Sequence, residues 1–185
     1  LKNEHSLLPL DRSMKVALIG PNADNCYNML GDYTAPQEEE NVKTVLDGIR
    51  AKLSSSQVEY VKGCSIRDTV TSDIEQAVTA AQRSEVVIAV VGGSSARDFK
   101  TSYKETGAAI ADEKTISDME CGEGFDRATL SLLGKQLELL KALKATGKPL
   151  IVVYIEGRPL DKNWASENAD AVSYTHLRAH ETGRN

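Results

Sequence analysis

Between Asp118 and Arg127 the chain reads Asp-Met-Glu-Cys-Gly-Glu-Gly-Phe-Asp-Arg. Three carboxylates in this stretch, Glu120, Glu123 and Asp126, are the side chains best suited to moving protons. Carboxyl groups act as general acids and bases when their surroundings tune their pKa values to the task. Glycines at 122 and 124 flank Glu123, so the backbone can bend sharply there and leave that carboxylate uncrowded. A solvated acidic loop has the same composition, and the residues alone leave both readings open. Calcium is a poorer match, because the alternating oxygen-ligand spacing of a calcium loop is absent. Asp126 beside Arg127 reads most simply as a local ion pair or as acid at a helix start.

Other motifs carry less chemistry. Gly92-Gly93-Ser94-Ser95 follows an apolar run and could aim backbone amides at a phosphate, but it lacks the glycine spacing and the Lys-Ser/Thr of a phosphate loop. A tight turn leaving a central strand explains it equally well. In Gly20-Pro21-Asn22 the proline removes an amide that a phosphate would need. Cys26, Cys64 and Cys121 have neither metal nor redox spacing and read as free thiols. Trp164 and the leucine stripes read as packing residues.

The elements that must position these residues alternate between apolar runs and helical patterns, as in a parallel sheet with helices on both faces. Strands are expected at Val16–Ile19, Val58–Val61, Val86–Val91 and Leu150–Ile155, with a fifth beginning near Ala169–Val172. Val86–Val91 is continuously apolar, the mark of a strand buried on both faces. Helical spacing covers Val42–Leu53 and Asp73–Gln82, with Ser72 as its N-cap. It recurs over Leu130–Thr146, where Leu133, Leu137, Leu140 and Leu143 form a stripe stopped by Gly147, and a short helix is expected around Leu160–Ala165. The reading is a doubly wound, mainly parallel α/β sandwich truncated before its last strands. Ligands of such sheets gather at the carboxyl ends of the strands. That edge would carry both the polar segment from Ser94 to Asp126 and the turn Gly157-Arg158-Pro159.

With 185 residues the chain has room for one domain and a real core. A net charge of −5 disfavours nucleic acid and anionic membranes, both of which select a basic face. Aromatics at 5% are few for a surface that binds sugars by stacking alone. No run approaches the ~20 apolar residues of a membrane span. No signal peptide is visible, and the opening Leu1-Lys2-Asn3 is abrupt, as in a fragment. At the other end, one codon choice for Val172–Thr182 spells, in frame, a transposase sequencing-library adapter. Ser173–Asn185 is therefore set aside as a non-native tail, leaving 1–172 as the domain. This removes His176 and His180, whose i, i+4 spacing on a helix would suggest zinc, so no metal site is expected.

Gly-Glu-Gly-Phe-Asp-Arg, in a long polar segment after a buried strand, resembles the acid/base loop of family 3 glycoside hydrolases. Lys2–Leu10 resembles the segment leading into that family's second domain, and Val16–Asp24 resembles its first strand and turn. Gly147-Lys148-Pro149 with Val152–Pro159 resembles a later strand and its Gly-x-Pro turn. The resemblance implies an incomplete C-terminal α/β domain, one that follows a catalytic (β/α)8 barrel in the complete enzyme. It implies a bacterial-type retaining β-glucosidase or β-xylosidase that removes terminal β-linked sugars from oligosaccharides and needs no cofactor. Glu123 falls at the acid/base position, while Glu120, Asp126, Arg127 and Arg158 sit beside it as substrate-binding candidates. The nucleophile would be an aspartate of the barrel, so this fragment alone is expected to be inactive. Its unpaired sheet edge predicts poor solubility. A periplasmic or secreted location is implied. The alternative is a stand-alone flavodoxin-like module holding a small ligand at the same rim without chemistry, and a nucleotide-binding domain is a third reading.

Overall fold

The computed structural model describes residues 2–31, 37–95, 102–103, 105, 109–110, 118–122 and 126–176. Eight strands lie among them: β1 (Lys2–Asn3), β2 (Val16–Ile19), β3 (Val58–Val61), β4 (Val86–Gly92), β5 (Ser102–Tyr103), β6 (Ala109–Ile110), β7 (Leu150–Glu156) and β8 (Ala171–His176). The α-helices are α1 (Val45–Arg50), α2 (Ile74–Arg83), α3 (Gln136–Lys144) and α4 (Asn163–Asn168). Six strands form one sheet in the order β1-β8-β7-β4-β2-β3, and β5 and β6 form a separate antiparallel pair. Every pairing in the large sheet is parallel except that of β1 with β8.

The order follows from how each crossover is covered. From β2 the chain moves outward through α1 to β3, then returns through α2 to β4 on the far side of β2. Right-handed crossovers put helices on opposite faces when the direction of travel reverses. Leu46 of α1 accordingly packs on the face formed by Val16, Leu18, Ile88 and Val90, together with Leu7, Leu8 and Leu10. Ala77, Ala80 and Ala81 of α2 and Leu139, Leu140 and Leu143 of α3 cover Ala17, Val87, Ala89 and Val91 on the other face. In β4 the alternate residues feed these two cores, which is why its sequence is apolar throughout. Each fully buried leucine of α3 contributes roughly 1.5–3 kcal/mol of transfer free energy.

The expected doubly wound α/β sandwich is present, and the four complete strands match within one residue. α1 and α3 are shorter than expected, while α2 and α4 keep their expected lengths but start one and three residues later. Thr44 caps α1 by accepting from the Asp47 amide at 3.2 Å, and the Asp47 carboxylate answers the Thr44 amide at 3.0 Å. Val42 is buried ahead of that cap. Asp73, not Ser72, occupies the N-cap of α2, because Ser72 pairs in a bridge with Cys64. The helix expected from Leu130 begins only at Gln136. Gly134, at φ +59°, turns the chain where a Cβ would lie 2.7 Å from the Ile66 carbonyl. The buried stripe is therefore Gln136, Leu139, Leu140 and Leu143, while Leu133 and Leu137 are only half-buried.

At the edge, β8 continues through Ser173–His176, residues the sequence reading had set aside. Pairing with β7 uses backbone groups, which every non-proline residue supplies. His176 therefore lies in a strand rather than on a helix, and His180 lies outside the described residues. β1 covers the start of β8, with Lys2 opposite Val172 and Asn3 opposite Ala171. Lys2 Nζ also donates to the Ser166 carbonyl at 2.9 Å. No helix of the described residues is long and apolar enough to cross a membrane.

Candidate active site

The direction of travel reverses between β2 and β4, and the crevice at the carboxyl ends of those strands is where open α/β sheets hold ligands. Buried polar side chains lock this rim. Asn22, after β2, donates through Nδ2 to the carbonyls of Gly93 at 3.2 Å and Ile155 at 3.4 Å. Its Oδ1 accepts from Asn28 Nδ2 at 2.6 Å, and Asn28 Oδ1 accepts from Ser94 Oγ at 2.7 Å. Three strand ends are thus tied by one chain of hydrogen bonds. Gln136, at the start of α3, accepts from the Gly92 amide at 2.8 Å and donates to the Gly92 carbonyl at 2.9 Å and the Ile66 carbonyl at 3.2 Å.

The acidic segment is fastened to this frame. Asp118 accepts from the Ile66 amide at 3.0 Å, and Arg67 Nη1 donates to the Met119 carbonyl at 3.0 Å. The Glu120 amide donates to the Ser94 carbonyl at 2.9 Å. Met119 and Cys121 are buried, which gives the segment an apolar anchor on either side of Glu120.

Glu120 and Arg127 meet inside the protein. Arg127 Nη1 lies 2.8 Å from Glu120 Oε1, and their side chains are 3% and 1% exposed. Arg127 also donates through Nε to the Thr129 carbonyl at 2.7 Å and through Nη2 to the Ser131 carbonyl. Glu120 Oε2 is buried and has no hydrogen-bond partner among the described residues. Burial drives the Glu120 pKa up to about 7, against the pull of Arg127 and Arg67, with Asp126 adding to the rise. Gly93 makes room for this carboxylate, since a Cβ there would lie 1.8 Å from Glu120 Oε1.

Asp126 and Arg158 form a second, exposed pair, with Arg158 Nε 3.0 Å from Asp126 Oδ2. The Asp126 carboxylate also accepts from the Arg127 amide, and these two bonds hold its pKa below the ordinary value. The structure therefore brings Glu120, Asp126, Arg127 and Arg158 to one rim, as two pairs of opposite exposure. Glu123 lies outside the described residues. Asn22, Asn28, Ser94 and Gln136 were missed by the sequence reading, because single polar residues beside apolar runs give no local signal that they turn inward. None of the three cysteines forms a disulfide, and burial pushes the Cys64 and Cys121 thiols up to about 12 and about 11. Among the described residues no cluster of His, Cys, Asp and Glu is arranged to hold a metal ion.

The whole chain, residues 1–185, matches the Glycosyl hydrolase family 3 C-terminal domain. The chain belongs to that family. A β-xylosidase of Formosa agariphila is 38% identical to this family 3 domain over 95% of it and 22% of the relative. A periplasmic β-glucosidase of Salmonella typhimurium is 30% identical over 99% and 24%. Among solved structures, a β-glucosidase from Listeria innocua in complex with isofagomine superposes with a TM-score of 0.71 at 28% identity, over 93% of this chain and 20% of that one. An exo-β-xylosidase in complex with a xylobiose aziridine probe gives 0.69 at 28% identity, over 93% and 19%. The family 3 domain thus spans about a fifth to a quarter of the length of the glycoside hydrolases it matches.

Proposed function

We propose that this domain works as part of a retaining β-glycosidase that removes terminal β-linked glucose or xylose, and that Glu123 is its general acid/base. Retaining glycosidases set two carboxyl groups about 5–5.5 Å apart, one to attack the anomeric carbon and one to protonate the leaving oxygen. The nucleophile, an aspartate of an N-terminal (β/α)8 barrel, would come from elsewhere in the longer protein. Glu123 would first act as acid and then as base toward the water that releases the glycosyl enzyme. For the first step it must be protonated near neutral pH, and closure against the barrel would supply the burial this requires.

The observation that carries this reading is the anchoring of the acidic segment. Both its flanks, Met119–Cys121 and Asp126–Arg127, are tied to the carboxyl-end rim of the sheet, by the Glu120 amide donating to the Ser94 carbonyl and by hydrogen bonds from Arg67 and Arg158. A segment fixed this firmly at its ends can present one carboxylate reproducibly. The exposed Asp126–Arg158 pair is the candidate for polar contact with the sugar or its aglycone. The substrate choice follows the β-xylosidase and β-glucosidase relatives, and a periplasmic or secreted location follows the Salmonella relative named as periplasmic. In the full-length protein, Glu123→Ala is expected to slow hydrolysis of an unactivated β-glycoside by about 10²–10⁴-fold. Unchanged turnover would remove Glu123 from the reaction.

A further inference from the structure

We infer that Glu120 and Arg127 form a buried staple that sets the position of the acid/base segment and do not touch the sugar. The inference rests on the assignment of Glu123 as acid/base, because Glu123 lies between the two stapled residues in sequence. Four observations carry it. Both side chains are almost wholly buried within this domain, so neither has a face left for a substrate. They stand seven residues apart and meet at 2.8 Å, which closes the stretch between them at its base. Each end of the pair is fixed independently: the Glu120 amide is held by the Ser94 carbonyl after β4, and Arg127 is held by the carbonyls of Thr129 and Ser131 ahead of α3. Gly93 leaves a space that the Glu120 carboxylate fills.

Stability does not account for the pair. A buried ion pair is often no more stabilising than apolar residues of similar volume, because desolvation offsets its attraction. Here one carboxylate oxygen is buried without a partner among the described residues, which adds to that cost. What the pair supplies is a fixed distance between two chain segments. A single charge-assisted hydrogen bond from a guanidinium whose other nitrogens are held by the Thr129 and Ser131 carbonyls is short and directional, and small displacements of a catalytic group lower rates steeply.

The test is made in the full-length protein, with Glu120→Gln, Arg127→Lys and the double variant Glu120→Gln/Arg127→Gln. Glu123→Ala serves as the reference. Aryl β-glycosides with poor and with highly activated leaving groups are compared, because only the former need protonation as the bond breaks. A staple predicts that kcat/KM falls by about 10²-fold on the poor leaving group and stays within about threefold on the dinitrophenyl glycoside. Added azide should then accelerate turnover and yield the glycosyl azide, the same signature as Glu123→Ala. An equal fall on both substrates, or a rise in KM alone, would mean that the pair contacts the sugar and would overturn the inference, as would full activity. If a single variant does not fold, the double variant, which removes both buried charges together, decides the matter by the same comparison. Should Glu123→Ala lack the leaving-group signature, it is the acid/base assignment that fails. Should only Glu123→Ala show it, the staple fails.

Discussion

Glu120 is a carboxylate whose surroundings oppose one another. Burial disfavours its charge, while Arg127 at 2.8 Å and Arg67 favour it, and the balance leaves its pKa near 7. In an unfolded chain the same group titrates near 4.5. Between these values the folded protein holds more protons than the unfolded one, so the contribution of this group to stability is complete below about 4.5 and is lost as pH rises toward 7. Glu120→Gln removes the titration. The variant is expected to lose the fall in urea midpoint that the parent shows between pH 4.5 and 7, and identical slopes would show that Glu120 is already ionised at pH 5. The sequence displayed the carboxylates of this site but not their difference in exposure. Glu120 and Asp126 are both acids two residues from a glycine in the chain, yet one is buried under Gly93 and the other stands at the surface. Only the path of distant backbone, Ser94 above all, separates them.

Among the elements, β2, β3, β4 and β7 were readable and the starts of α1 and α3 were not, for one physical reason. A strand buried on both faces must be largely apolar, as β4 is throughout and β7 is up to Glu156, so its limits coincide with a change in composition. The start of α3 is set instead by contacts made across the molecule. Gln136 serves both backbone groups of Gly92, 44 residues away in sequence, and a polar side chain at a helix start gives no hint of that partner. Gln136→Leu is expected to destabilise the domain by about 1–3 kcal/mol for each Gly92 group left unsatisfied. Leu140→Ala in the same helix, which opens a cavity without orphaning a polar group, should cost about 2–5 kcal/mol. Thermal unfolding distinguishes the two by what rescues them: a small apolar ligand can restore a cavity, but it cannot hydrogen-bond Gly92. If Gln136→Leu proves neutral, the hydrogen bonds to Gly92 are not what fixes the start of α3.

At the scale of the whole molecule, the large sheet has unlike edges. β3 ends it on one side, and on the other the two residues of β1 cover only the beginning of β8. An open strand edge is a template for pairing with another chain. Deleting residues 1–3 uncovers Ala171 and Val172 and removes the Lys2 bond to Ser166, so light scattering should show earlier association on warming. Unchanged scattering would mean that β8 is protected by other means. The order of parallel strands was legible in outline, since alternating strands and helices imply crossovers. The antiparallel β1 was not, because two residues carry no periodicity.

The meeting of β1 with β8 also bears on the order of events during synthesis. Lys2 and Ser166 are 164 residues apart, yet they bond directly. A ribosome releases the first of them long before the second exists. Until β8 emerges, β2, β3 and β4 can assemble with α1 and α2, but β1 lacks the strand it pairs with. Attachment of β1 therefore waits for β8, and a pause before Ala171 would hold β2, β3, β4 and β7 with β1 still unattached.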